Sequence, residues 1–266
     1  MRALPITDLE VTVTAAQVAG FRRDGFTSID RLTTDEELEW LRDLFDELFD
    51  AKEGGIPGGY FDLARPYDAD GDDHLPQVLF PEQRFPDLRR TAFYRNGRAV
   101  TAALLDVEPA GLHGWCHMID KPPRHGEAIP WHQDEAYWDP AMSYEAVGTW
   151  LPLDDVDLAN GCMCFLPGTH LGDVRQHRHI DDDPSVHGLV TDDVDPSGFV
   201  AVPLRAGGAT FHHPRTLHHT PPNATDRRRR AVAVEHQTAP LRREVPLERP
   251  WVDEGQAAWA ARSAFR

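Results

Sequence analysis

A mainly β architecture with flanking helices, a sandwich or barrel of the jelly-roll type, is what the sequence predicts. Three observations lead there. From about residue 110 onward the chain breaks into short segments rich in Val, Thr, Phe and Trp. Pro, Gly, Asn and Asp separate those segments, which is the pattern of strands joined by turns. No long amphipathic helix separates them, so an antiparallel sandwich or barrel fits better than alternating strands and helices. A length of 266 residues suits one such unit, and we expect a single domain with a helical part near 14–50 and a β core near 110–240.

Taken in order, the chain opens with two helices. "TAAQVAGFRRDGF" offers Thr14 as N-cap, places Ala15, Val18 and Phe21 on one face, and has Gly25 as its stop. "TTDEELEWLRDLFDELFD" starts with Thr33 and Glu36 at capping-box spacing, followed by Leu38, Leu41, Phe45 and Leu48 at steps of three and four. Both helices read as packing scaffold. Residues 51–90 are rich in Gly, Pro and Asp with no period, and are expected to form a long loop. "DADGDD" within it lacks the distal glutamate a calcium loop requires. The strand candidates are "GWCHMID", "AVGTWLPL", "CMCFLP", "FVAVPL", "GATFHH" and "RAVAVEHQ", and residues 169–198 read as a second long polar insert.

Charge narrows the partners. Lys+Arg number 27 against Asp+Glu 44, a formal charge of −17, which repels nucleic acid and anionic membrane and weighs against a polyanionic acyl-CoA substrate. No apolar run approaches a membrane span, and the N-terminus has no signal-peptide pattern. Three cysteines without a CxxC pair give neither a disulfide framework nor a cysteine zinc site. A protein of the reducing cytoplasm, acting on a small molecule, is the expectation.

The chemistry begins at "IPWHQDEAYW", residues 129–138. On an extended strand side chains alternate, so His132 and Asp134 point one way and Gln133 the other. An imidazole nitrogen and a carboxylate oxygen would converge there on a divalent metal. A third ligand must come from elsewhere, and His212, His213, His218 and His219 are all available; spacing does not choose among them. Two histidines and one carboxylate leave one face of an octahedral ion open, which suits non-haem Fe(II) and oxygen activation. His125, His170, His177, His179 and His187 read as polar surface, or as residues at the mouth of a ligand site. Tyr137, Trp138 and Trp131 are candidate walls of an apolar pocket, or core. In the run Arg227–Arg230, alternation puts Arg227 and Arg229 on one face and the other two outside. Cys162 and Cys164 share a face and are expected to be buried core.

Four segments in order resemble the phytanoyl-CoA dioxygenase family of Fe(II)/2-oxoglutarate oxygenases: "FRRDGF", "KPPRHGEAIPWHQDEAYW", "NGCMCFLPGTH" and "FHHPRTLHHTPPNATDRRRRA". The resemblance spans about residues 14–237. It implies a double-stranded β-helix, the cupin-like form of the jelly roll. It implies His132, Asp134 and His218 as iron ligands, and Arg229 as partner of the distal carboxylate of 2-oxoglutarate with Thr220 assisting. Trp150 and His117 would line the cosubstrate pocket. The implied cofactors are Fe(II), 2-oxoglutarate and O₂, with succinate and CO₂ as by-products. Asp134 stands where related halogenases lack a carboxylate, so hydroxylation, or a desaturation, epimerisation or cyclisation variant, is implied. Two positions depart from the pattern: His219 replaces the usual glycine after the third ligand, and Gly208-Ala209 replaces Gly-Asp. Arg-, Ala- and Asp-rich composition fits a high-GC bacterium and natural-product metabolism. Two rival readings remain: a cupin-like metalloenzyme that does not use 2-oxoglutarate, and a non-catalytic small-molecule binder on the same fold.

Overall fold

The computed structural model describes residues 3–5, 7–67 and 69–264. Its strands in chain order are β1 (Phe26–Ile29), β2 (Tyr60–Asp62), β3 (Pro76–Leu79), β4 (His113–Lys121), β5 (Ile129–His132), β6 (Met142–Ser143), β7 (Ala146–Pro152), β8 (Met163–Phe165), β9 (Arg178–His179), β10 (Leu189–Val190), β11 (Val200–Val202), β12 (Ala209–His212), β13 (His218–Thr220), β14 (Arg229–Gln237) and β15 (Leu241–Arg242). The α-helices are α1 (Ala15–Asp24), α2 (Asp35–Ala51), α3 (Pro81–Arg84), α4 (Ala92–Leu105) and α5 (Pro250–Ala264). The protein is thus mainly β with antiparallel pairing and flanking helices.

A seven-stranded sheet runs β1-β12-β7-β14-β4-β3-β2, and a four-stranded sheet runs β11-β8-β13-β5. Alternation along β14 shows how the large sheet is used on both faces. Val232 and Val234 are buried in the cluster that contains Leu41, Phe45 and Leu48 of α2 and Phe93 of α4. Ala231 and Ala233, of opposite parity, pack with Trp150, Met163, Cys164 and Phe165 in the cluster between the sheets. The helices therefore cover one face and the small sheet the other, and β14 is apolar on both because both faces are covered. Cys116, Cys162 and Cys164 are buried free thiols.

Several elements differ from the sequence reading. In α1, Thr14 and Gln17 form the capping box and Gly25 ends the helix in the left-handed region, but Ala15 is exposed and only Phe21 is fully buried. In α2 the N-cap is Thr34 rather than Thr33, accepting from the Glu37 backbone. Thr33 instead donates to the buried Glu37 carboxylate. That carboxylate accepts from the Ala92 and Phe93 backbone N–H groups at 2.6 and 2.9 Å, so Glu37 caps the start of α4 where a negative charge is favoured. Residues 51–90 are not one loop: β3 pairs with β4 and β2 with β3, extending the large sheet. Without period-2 alternation these two short strands left no sequence signal. Helices α4 and α5 were also not read from the sequence. Among the described residues no helix is long and apolar enough to cross a membrane.

Candidate metal and cosubstrate centre

The centre follows from one register fact. In the small sheet β13 and β5 pair so that His218 lies directly across from His132, with ring centroids 4.2 Å apart. Gln133 continues the extended backbone (φ −127°, ψ 132°), so Asp134 returns to the His132 side although it already opens a 3₁₀ turn, Asp134–Tyr137. One ligand atom each from His132, Asp134 and His218 lies within 4.8 Å of the others. His132 Nε2 and His218 Nε2 stand 3.7 and 3.5 Å from Asp134 Oδ1.

Each histidine is oriented from behind. His132 Nδ1 donates to Pro130 O at 2.8 Å, and His218 Nδ1 to Thr216 O at 2.9 Å. Both tautomers then carry the lone pair on Nε2, facing the common point, as a metal-ligating imidazole requires. Asp134 Oδ2 accepts from His212 Nε2 at 2.8 Å, which leaves Oδ1 for a metal. Burial works against a charged Asp134, but the imidazoles of His218 and His212 outweigh it and hold the carboxyl well below the usual range. Burial lowers His132 to about 3, so it is a neutral ligand at physiological pH. His218 moves up, because Asp134 overrides burial.

The large sheet faces this triad with Arg229, Ala231, Ala233 and Glu235 of β14, whose cross-strand partners on β4 are Lys121, Ile119, His117 and Trp115. Arg229 is 1% exposed. Its Nη1 reaches Ile119 O at 3.4 Å, while Nε and Nη2 have no partner. Burial lowers the guanidinium to about 10 against the pull of Asp120 and Asp154, so it remains charged. Such a buried, half-paired guanidinium requires an anion. Thr220 Oγ1 is likewise buried and unpartnered. Trp150 lies 5.7 Å from the guanidinium, and His117, Trp150 and Thr220 line one cavity with the triad, His212, Met163 and Glu235. Of the small β14 side chains, Ala233 lines that cavity as well. The residues present thus fit both a divalent ion and a carboxylate cosubstrate.

The four arginines part differently from the alternation reading. Arg227 precedes the strand and is exposed. Arg228 and Arg230 sit on the helix side, paired with Asp120, Asp46 and Asp154. Lys121 is fully buried and donates to the carbonyls of Glu127, Thr220 and Pro221, fastening the turn after the third histidine. His170, His177 and His179 are buried rather than surface; His177 accepts from the Gln133 backbone N–H and donates to Arg175 O. His219 packs on Trp131 at 4.2 Å, while Tyr137 and Trp138 wall the cavity beside the triad. His213 points toward His170.

Two residues of the centre escaped the sequence reading as site residues: His212, weighed only as a ligand, and Glu235. Glu235 shares strand parity with Arg229 in an otherwise apolar run, and that parity is the signal that could have found it. Burial, with Asp134 adding, pushes its carboxyl well above the usual range.

Fold and site together define a non-haem Fe(II)/2-oxoglutarate-dependent oxygenase. The sequence profile described as Phytanoyl-CoA dioxygenase (PhyH) matches residues 21–231, and the chain belongs to that family. Among solved structures, EvdO2 from Micromonospora carbonacea var. aurantiaca is 38% identical with a TM-score of 0.81, covering 93% of this chain and 100% of its own. The same protein complexed with 2-oxoglutarate gives 37% and 0.80 over the same shares. The peroxisomal phytanoyl-CoA dioxygenase of Mus musculus is 26% identical over 243 residues, 83% of this chain and 67% of its own. A probable alpha-ketoglutarate-dependent hypophosphite dioxygenase of Stutzerimonas stutzeri is 32% identical over 123 residues, 45% of this chain; the match spans only 42% of that relative's length.

Proposed function

We propose that this protein is an Fe(II)- and 2-oxoglutarate-dependent dioxygenase that hydroxylates an unactivated C–H bond of a small organic metabolite, of the kind found in natural-product biosynthesis. The facing antiparallel sheets are read as a double-stranded β-helix. The observation that carries the reading is the buried Arg229 guanidinium with two unpartnered nitrogens, in a site that also holds an oriented His132–Asp134–His218 set. A cupin-like enzyme without 2-oxoglutarate would have no use for that cation.

Ferrous iron, 2-oxoglutarate and O₂ together supply the oxidation, in which one oxygen atom enters the C–H bond and the other leaves in succinate with release of CO₂. The chain's residues supply position. His132, Asp134 and His218 would hold the ion from one side, and their backbone and His212 hydrogen bonds keep that arrangement from rearranging. Arg229 and Thr220 would take the distal carboxylate of the cosubstrate, fixing its other end toward the triad. Trp150, Ile119, Ile129, Met163 and Ala233 surround the space between and exclude water from it.

Anaerobic addition of Fe(II) and 2-oxoglutarate tests the reading. A visible metal-to-ligand charge-transfer band is expected, and its absence would favour the non-catalytic binder or the cupin-like alternative. Succinate release under O₂, screened over candidate metabolites, then tests the oxidation.

A further inference from the structure

Two cavities share a wall beside the triad. The inner one, about 250 Å³, is lined by Gln77, Phe80, Trp115, His117, Trp138 and Glu235 and reaches His132 and Asp134. The outer one, about 200 Å³, lies between the 169–198 insert and α5, with Tyr67, His179, Leu189, Trp251 and Trp259 in its wall. Tyr137 and His187 line both. Their rings stack at 5.5 Å and 16°. Tyr137 stands 6.1 Å from the His132 ring, and Trp259 lies 6.2 Å beyond His187. Ring surface therefore runs without a break from the triad to α5.

Charge and unpaired atoms state what this surface can hold. Among the described residues no lysine or arginine lines either cavity. In the inner cavity an anionic group would shed its hydration without a side-chain counter-charge; beside the outer one the Arg262 guanidinium lies 4.9 Å from the Tyr67 ring and 5.2 Å from the Trp259 ring. In the inner cavity Glu235 Oε2 and His117 Nδ1 are buried without a partner, and Glu235 is 3% exposed. Buried polar atoms in a folded protein are nearly always satisfied, so two orphans on residues that line one cavity mark the place of a ligand's own polar group. Glu235 does not serve the distal carboxylate of the cosubstrate: it stands six residues along β14 from Arg229, roughly 20 Å of strand. In the outer cavity the aromatic rings offer flat apolar faces.

Resting on the reading above, we infer that the substrate is an uncharged molecule of at least two linked rings, one ring presenting a hydroxyl to Glu235 and His117 beside the triad and another stacked in the chamber of Tyr67, Trp251 and Trp259. The hydroxyl would orient the reacting ring, and the chamber would select for length.

The experiment first records the charge-transfer band with Fe(II) and 2-oxoglutarate, whose absence would fail the parent reading alone. With the band present, succinate release and tryptophan-fluorescence quenching are measured over three panels: uncharged hydroxylated compounds of two or three linked rings (aryl glycosides and phenolic aglycones), their single-ring fragments, and carboxylates and acyl-CoA thioesters. Turnover and quenching are expected from the first panel, at least about tenfold weaker binding from the second, and none from the third. On the best compound, Glu235→Leu should lose about 100-fold or more in kcat/KM while Glu235→Gln loses far less, both keeping the 2-oxoglutarate band. Trp259→Ala should raise KM for the multi-ring compound and leave the single-ring fragment unaffected. Turnover of a carboxylate or thioester, silence of the whole uncharged panel, or undiminished turnover in Glu235→Leu would each overturn the inference.

Discussion

Replacing Arg229 by methionine should have two effects of opposite sign. In the ligand-free protein the guanidinium is buried with two of its nitrogens unpartnered, and its pKa falls from 12.5 to about 10. A shift of that size corresponds to roughly 3 kcal/mol of destabilisation by the charged form. The sign is that of a base held down in the fold: the cost is complete below pH 10 and relieved only as pH rises from there toward 12.5. Arg229→Met removes the charge and keeps much of the volume, so at pH 7 the ligand-free variant should be more stable by about 1–3 kcal/mol. The same change removes two charge-assisted donors, each worth about 1.5–3 kcal/mol to a carboxylate, so 2-oxoglutarate affinity should fall by about 100-fold or more. Denaturant unfolding with and without 2-oxoglutarate, alongside anaerobic titration of the Fe(II) protein, reads both terms. At about a hundredfold excess over Kd the cosubstrate should stabilise the wild type by about 2.7 kcal/mol, and leave the variant unmoved. A variant that is less stable without ligand and binds 2-oxoglutarate as before would refute the reasoning.

Other expectations follow from the same geometry. His212→Phe removes the donor to Asp134 Oδ2, and Fe(II) or Co(II) affinity should fall by about 10- to 100-fold; an unchanged metal titration would show that Asp134 needs no such support. Glu37→Ala strips two backbone N–H groups at the start of α4 of their acceptor and should lower stability by about 3 kcal/mol, visible as a clear drop in Tm; a shift under one degree would contradict the capping role. His117 and His187 are lowered to about 4, and His236 to about 3, mainly by burial. Each binds a proton in the unfolded chain near 6.5 but not in the fold until far lower, so stability is complete above pH 6.5 and lost on acidification toward 4. Each should cost about 1 kcal/mol between pH 7 and 5.5, and a denaturation midpoint that stays level over that range would exclude it.

The legible part of the sequence was the part with a period. β14 could be read because Val232 and Val234 alternate with Ala231 and Ala233, and the HxD pair because period two sends its members to one side. Neither rule extends to where a strand stops: Asp134 sits in a 3₁₀ turn, and only the extended Gln133 preserves the alternation. Likewise Arg227 was assigned a face it cannot have, because β14 begins two residues later. β2 and β3 are three and four residues long, too short to show alternation, and their pairing is dictated by the β4 edge rather than by their own composition. The choice among His212, His213, His218 and His219 was not available to spacing, because it depends on register. Pairing of His218 with His132 is a property of two strands 86 positions apart in the chain. The burial of the insert's histidines does not show in the sequence for a related reason: their partners, Arg22 O for His170 and Trp251 O for His179, lie far away in the chain.

Gln133 explains why the metal motif and the insert belong to one device. Pointing away from the triad, it is fully buried. Its Nε2 donates to Arg215 O at 2.7 Å, and its Oε1 accepts from Arg175 N at 2.8 Å. One side chain thereby ties the strand carrying His132 to the approach to His218 and to the start of the 169–198 insert. The insert in turn supplies His187 to both cavities and Leu189 to the backbone bond on Tyr137 Oη. The residue between the two HxD side chains is thus as constrained as they are. Replacing Gln133 by leucine would leave Arg215 O and Arg175 N without their partners, so the covering segment and the seat of the third histidine should loosen together rather than separately.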